Sequence, residues 1–133
     1  MAEENTNEIH LDVPDHLSYS EEHVWMDDSV DPVVLGITEY AADRLGEIVF
    51  VDLPEPGTEV QAGDEIAQIE SAKSVEPFVS PVAGVVRYVN RAIADDPDII
   101  AQDPYGEGWF VKIALDDDEP ELLTADEYLR VIQ

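Results

Sequence analysis

A mainly β domain of two small facing sheets is expected from this chain, and three observations carry the expectation. Short β-branched runs, Val33 to Ile37, Ile48 to Leu53 and Val85 to Val89, recur with turn residues between them. Proline and glycine punctuate the chain at Pro56-Gly57 through Gly63-Asp64 and again at Ser80-Pro81 through Gly84, in each case ahead of short strands. Gly108 to Leu115 alternates, which places Trp109, Val111, Ile113 and Leu115 on one face. With 133 residues, 44% of them hydrophobic, the chain is sized for one domain with a core of its own.

Residues 1–17 read as a polar lead-in with some pairing near Ile9 to Val13, and folding proper starts near Leu17, giving a domain over 18–133. Val33 to Ile37 is a buried strand. Thr38 follows as an N-cap, Glu39 to Leu45 as a short helix, and Gly46 as its stop. Ile48 to Leu53 is the next strand, ended by Pro54-Glu55-Pro56-Gly57, where prolines forbid further pairing. Glu65 to Glu70 is strand-like, but Ile66 and Ile69 do not alternate, so its phase stays open. Asp95 to Asp98, containing Pro97, reads as loop. The acidic run from Asp116 to Pro120 closes the last strand, and Thr124 with Glu127 has capping-box spacing for a C-terminal helix from Ala125 to about Ile132.

Charge narrows the function classes. Against 32 acidic residues stand 6 basic ones, a formal charge of −26 spread along the chain, which resembles the surface of a halophile's protein. Such a surface is a poor partner for nucleic acid. Cysteine is absent, so disulfides, thiolate nucleophiles and Cys-bound metals are excluded. His10, His16 and His23 fit no zinc spacing, and the acids from Asp116 lack the glycine and ligand spacing of a calcium loop. The N-terminus has neither signal nor transit character, and no apolar run approaches the ~20 residues of a membrane span, so no membrane association and a cytoplasmic location are expected.

Within this acid the chain keeps two lysines. Lys112 sits in the alternating run and reads as an ordinary solvated side chain. Lys73 lies in Ile69-Glu-Ser-Ala-Lys-Ser-Val-Glu76, at an apparent hairpin tip about midway between the two proline-glycine stretches, where a bend joining the two sheets is expected. Its neighbours Ser71, Ala72 and Ser74 are small, which leaves the amine solvated and open to another protein.

The order and spacing of several short motifs resemble the H protein of the glycine cleavage system from Tyr19 to the C-terminus. They are Glu22-His23 with Trp25, Gly36-Ile37-Thr38, Leu45 to Val51, Leu53-Pro54-Glu55-Pro56-Gly57, Glu70-Ser71-Ala72-Lys73, Ser80-Pro81-Val82-Ala83-Gly84, and Asp103 to Trp109. The resemblance implies a barrel-sandwich hybrid with flanking helices, and a lipoyl carrier domain whose Lys73 is acylated by lipoic acid to N6-lipoyllysine. It implies a carrier, not an enzyme, that takes an aminomethyl group from glycine decarboxylase to the aminomethyltransferase. Dihydrolipoamide dehydrogenase then reoxidises it, and a lipoylating enzyme loads it. Glu70 matches the family's acid ahead of the lysine, either guiding the lipoylating enzyme or lying as a solvated strand-end acid. Gly84 matches a family glycine, read as a tight turn, and His23 with Trp25 match an N-terminal motif most simply read as packing.

Two acids common in the family are missing. Val24 stands where His-Glu-Trp is usual, and Pro77 stands where an aspartate often follows the lysine by four residues. Such acids in the family lie near the cleft that shelters the loaded arm. A looser hold on that arm is therefore expected here, with Glu76 and Glu22 as candidate substitutes. Biotin carriers are disfavoured because Ala72 and Ser74, not methionines, flank the lysine. A 2-oxoacid dehydrogenase lipoyl domain is disfavoured by the missing Asp-Lys-Ala, linkers and catalytic domain. A lipoate donor for other proteins and an unmodified scaffold remain as alternatives.

Overall fold

The computed structural model describes residues 11–116 and 122–132. Ile9 and His10 of the expected N-terminal pairing, and the acidic residues from Asp117 to Glu121, lie outside them. In chain order the elements are β1 (Ser18–Tyr19), β2 (Val24–Asp27), β3 (Val33–Ile37), α1 (Glu39–Leu45), β4 (Ile48–Asp52), β5 (Glu59–Val60), β6 (Glu65–Ser71), β7 (Val75–Val79), β8 (Gly84–Val89), α2 (Arg91–Asp95), α3 (Asp98–Gln102), β9 (Val111–Leu115) and α4 (Ala125–Ile132). One antiparallel sheet has the order β1-β2-β3-β9-β8-β5 and the other β4-β6-β7.

The two sheets meet across one apolar core. Leu35, Val86 and Ile113 from the larger sheet and Val51, Ile69 and Phe78 from the smaller belong to the same buried cluster, where Phe78 stacks on Phe110 at 4.7 Å. A second cluster lies on the other side of β2. There Trp25 packs with Leu17, Tyr19 and the C-terminal helix residues Ala125, Tyr128 and Ile132. Strand β2 is thus buried on both faces, Val24 and Met26 inward and Trp25 toward α4.

Local rules explain the helices. Thr38 accepts the Ala41 N–H and caps α1, and Gly46 ends it at φ +74°, a region open to glycine at little cost. For α4 the capping box is complete: the Thr124 N–H donates to Glu127 Oε1 at 2.9 Å, and the Glu127 N–H donates to Thr124 Oγ1 at 3.2 Å.

Several expectations are corrected. The segment around Pro97 is no plain loop, since α2 and α3 flank the Asp96-Pro97 corner and bury Ile93 and Ile100. Proline breaks α2 and its fixed φ opens α3. Trp109 does not share a face with Val111, because β9 starts at Val111 and Phe110 takes the core position; Trp109 packs against the second cluster. Lys112 is half-buried, its Nζ 4.8 Å from the Trp109 ring centroid and 5.9 Å from that of Tyr88. Gly84 is a strand residue, not a turn: a Cβ there would overlap the Ala114 carbonyl oxygen of the neighbouring strand. The open phase of β6 resolves through a register shift between Glu65 and Ala67, after which Ala67, Ile69 and Ser71 face inward. The chain is also held before Leu17: Tyr105 donates its hydroxyl to the Asp12 carbonyl and Tyr19 donates to that of Pro14, both at 2.6 Å.

Candidate functional site: the Lys73 hairpin and its cavity

Lys73 sits at the tip of the β6–β7 hairpin. Both strands belong to the three-stranded sheet, so the bend lies within one sheet and does not join the two. Ser71 builds the tip. Its backbone N–H donates to the Ser74 carbonyl at 2.8 Å, and its buried Oγ accepts the N–H groups of Ser74 at 3.1 Å and Lys73 at 3.3 Å. A hydroxyl here takes over the acceptor role of a backbone carbonyl and tightens the turn. The Ala72 N–H donates to the Glu47 carbonyl at 3.0 Å, which ties the tip to the start of β4. Lys73 itself is exposed.

Beside the tip opens a cavity of about 380 Å³ between the hairpin, α1 and the turn before β2. Ile37, Ala41, Leu45 and Ile69 give it an apolar floor, while Glu22, His23, Arg44, Lys73 and Glu76 bring charge and polarity to its walls. The cavity has room enough for the end of an aliphatic arm. An apolar floor with carboxylates around it fits a lipoyl chain that carries a cationic amine.

The His23 wall is built from three elements. His23 holds φ +70°, with its N–H donating to the Ser20 carbonyl at 3.1 Å and its own carbonyl accepting the Thr38 N–H at 3.0 Å. Its Nδ1 shares a 2.8 Å hydrogen bond with the Tyr128 hydroxyl, which shares another of 2.7 Å with Thr38 Oγ1. The C-terminal helix therefore sets both the imidazole and the cap of α1. Burial lowers the His23 pKa, and the Arg44 charge lowers it further against an opposing effect of Glu22. Burial likewise pushes the Tyr128 hydroxyl up to about 12, so it stays protonated. Arg44 is steadied along α1 by Tyr40, its Nη1 donating to the Tyr40 hydroxyl at 3.3 Å.

Of the residues singled out in the sequence, Glu22, His23, Lys73, Glu76 and Pro77 share this cavity and Glu70 does not. Glu70 pairs across the sheet with Phe50 and Val75, on the outward face of the hairpin. Val24 is 1% exposed and belongs to the main core. A glutamate there would be buried in apolar surroundings, so the absence of an acid at Val24 does not loosen the hold on the arm. Arg44 and Tyr40 escaped notice because they lie on α1, far from the lysine in sequence, and only the packing of α1 beside the hairpin brings them in. Ser71 carried a usable signal, a hydroxyl two residues before a loop lysine.

A model of the glycine cleavage H-protein family matches residues 17–133. The chain belongs to that family. Its relatives include the H protein of Bifidobacterium longum, 65% identical over all of this chain and 98% of that protein. A probable H protein of Haloarcula marismortui is 42% identical over 89% of this chain and 94% of that protein. The crystal structure of an H protein from Mycobacterium marinum superposes with a TM-score of 0.81 at 41% identity, covering 87% of this chain and 95% of that one. The expected fold class is met, with two small antiparallel sheets, short flanking helices and a C-terminal helix forming the barrel-sandwich of the H-protein family.

Proposed function

We propose that the chain is the lipoyl-lysine carrier of the glycine cleavage system, with Lys73 as the attachment site. The observation that carries this reading is Lys73, exposed at the tip of a tight hairpin beside a cavity whose floor is apolar and whose walls hold two carboxylates. The other lysine lies half-buried over two aromatic rings, where burial and cation–π attraction hold its amine back from acylation. Bound through an amide, lipoic acid supplies a dithiolane whose sulfurs accept and release the aminomethyl cargo. The protein's own residues present, shelter and release. The Ser71 turn presents the lysine, the floor of Ile37, Leu45 and Ile69 shelters the arm from water, and Glu22 with Glu76 pairs with the cationic amine. His23, whose charged form burial disfavours, adds a polar wall.

In this reading the chain catalyses nothing by itself. It receives its cargo from glycine decarboxylase, delivers it to the aminomethyltransferase and is reoxidised by dihydrolipoamide dehydrogenase, after loading by a lipoylating enzyme. A cytoplasmic location suits that company; among the described residues no helix is long and apolar enough to cross a membrane. The cavity is tested with lipoylated, aminomethyl-loaded protein. Glu76→Gln and Glu22→Gln should each speed loss of the cargo from the isolated carrier, and the pair together more than either alone. Release rates equal to the parent's would mean that the cavity does not hold the amine.

A further inference from the structure

The outward face of the three-stranded sheet carries apolar side chains where an antiparallel sheet facing water ordinarily carries polar ones. Phe50 is 52% exposed, Val75 56% and Val49 47%. Their exposure follows from the backbone. The register shifts between Ile48 and Phe50, so two consecutive apolar residues of β4 turn out of the core, between buried Ile48 and Val51. The ladder then sets Phe50, Glu70 and Val75 abreast across all three strands. Val75 stands two residues from Lys73, and Glu47 reaches the same tip by accepting the Ala72 N–H.

The hairpin therefore has two different sides. Ile69 and Glu76, a cross-strand pair, line the cavity, whereas Glu70 and Val75, the next pair, look out onto the apolar patch. We propose that Val49, Phe50 and Val75 form the docking surface for the enzyme that acylates Lys73, received by an apolar projection of that enzyme flanked by basic side chains. Charge complementarity sets the flanks, because the exposed acids Glu47, Asp52 and Glu70 surround the patch in a chain of net charge −26. Reach decides among partners. An enzyme that reacts at the lysine amine must come within one four-carbon stem of the hairpin and so covers its flank, while enzymes that work at the far end of the lipoyl arm meet their substrate at a distance from the sheet. An exposed aromatic flanked by aliphatic side chains is also the kind of centre that dominates a small interface.

This proposal rests on the carrier reading, and its test separates the two. The unmodified full chain is titrated as substrate for a lipoate ligase with lipoate and ATP, comparing the parent with Phe50→Thr, Val75→Thr and the double variant. These side chains are exposed and threonine keeps the strand, so thermal melts should coincide with the parent's. The expected result is a KM for the protein raised about tenfold or more in the double variant with kcat little changed, and a smaller rise for Glu47→Gln. Acetylation of Lys73 by a small acylating reagent should proceed at the parent's rate in every variant, since no docking is involved. An unchanged KM overturns the proposal, and so does slowed small-reagent acylation, which would place the effect in the hairpin itself. Sedimentation showing that the patch joins two copies of the chain, with KM unaltered in the variants, assigns the surface to self-association and also overturns it. Failure of the parent to accept lipoate at all overturns the carrier reading and this proposal with it, whereas equal KM values overturn the patch alone.

Discussion

His23 concentrates the constraints of the site in one residue. Its backbone sits at φ +70°, a region that non-glycine residues seldom occupy, and its ring is fixed by Tyr128 at 2.8 Å and lies against Tyr40 at a centroid distance of 5.0 Å. Burial holds its pKa below the usual value, so the folded protein binds fewer protons there than the unfolded chain does. Its contribution to stability is then fully present above the unfolded pKa of ~6.5 and is lost as pH falls through the lower folded value. His23→Asn, which tolerates the same backbone, should melt below the parent at pH 7.5, and that gap should narrow as the pH drops toward 5.5. A gap independent of pH would mean that the imidazole does not titrate against folding. At this scale the hairpin-tip position of Lys73 was legible, because the small residues Ser71, Ala72 and Ser74 around it mark a turn without any fold. The place of Val24 was not: a strand buried on both faces hides from a reading that expects alternation, and the missing carboxylate proved to be a core position.

Elements whose signals are local were legible. The α1 helix, with Thr38 and Gly46 at its ends, and the α4 helix with its capping box stand where capping chemistry places them. Elements fixed by tertiary contact were not. The five-residue helices α2 and α3 are too short to show a period, and Ile93 and Ile100 earn their places only against the core. Register shifts left no mark either, since Ile48-Val49-Phe50-Val51 reads as one apolar run although its middle pair faces water. Gly84 shows what a sheet contact hides: the residue looks like turn punctuation, yet it lets β8 lie close to β9 at Ala114. Gly84→Ala should push those central strands apart and cost about 1–3 kcal/mol, read as a lowered denaturation midpoint with an unchanged slope. A midpoint equal to the parent's would show that the strands shift at no cost.

For the whole molecule charge and carrier function meet. The halophile-like surface is not matched by special likeness to the haloarchaeal relative, at 42% identity against 65% for the Bifidobacterium protein. Repulsion among acids totalling a net −26 should still weaken the fold in dilute buffer. At about 1 M salt the Debye length falls to ~3 Å, so the melting temperature should climb from low to molar potassium chloride, and a flat profile would show that the acids do not strain one another. The carrier role depends on which amine the fold offers for modification. Lys73 projects from the Ser71 turn, and Lys112 is held over Trp109 and Tyr88. The most direct measurement is intact-mass and peptide mass spectrometry of the protein made in a host that lipoylates its own carriers, beside Lys73→Arg made the same way. One lipoyl adduct on Lys73, absent from Lys73→Arg, is the result predicted; an adduct on Lys112, or an unmodified Lys73 in protein from cells whose other carriers are lipoylated, would contradict it.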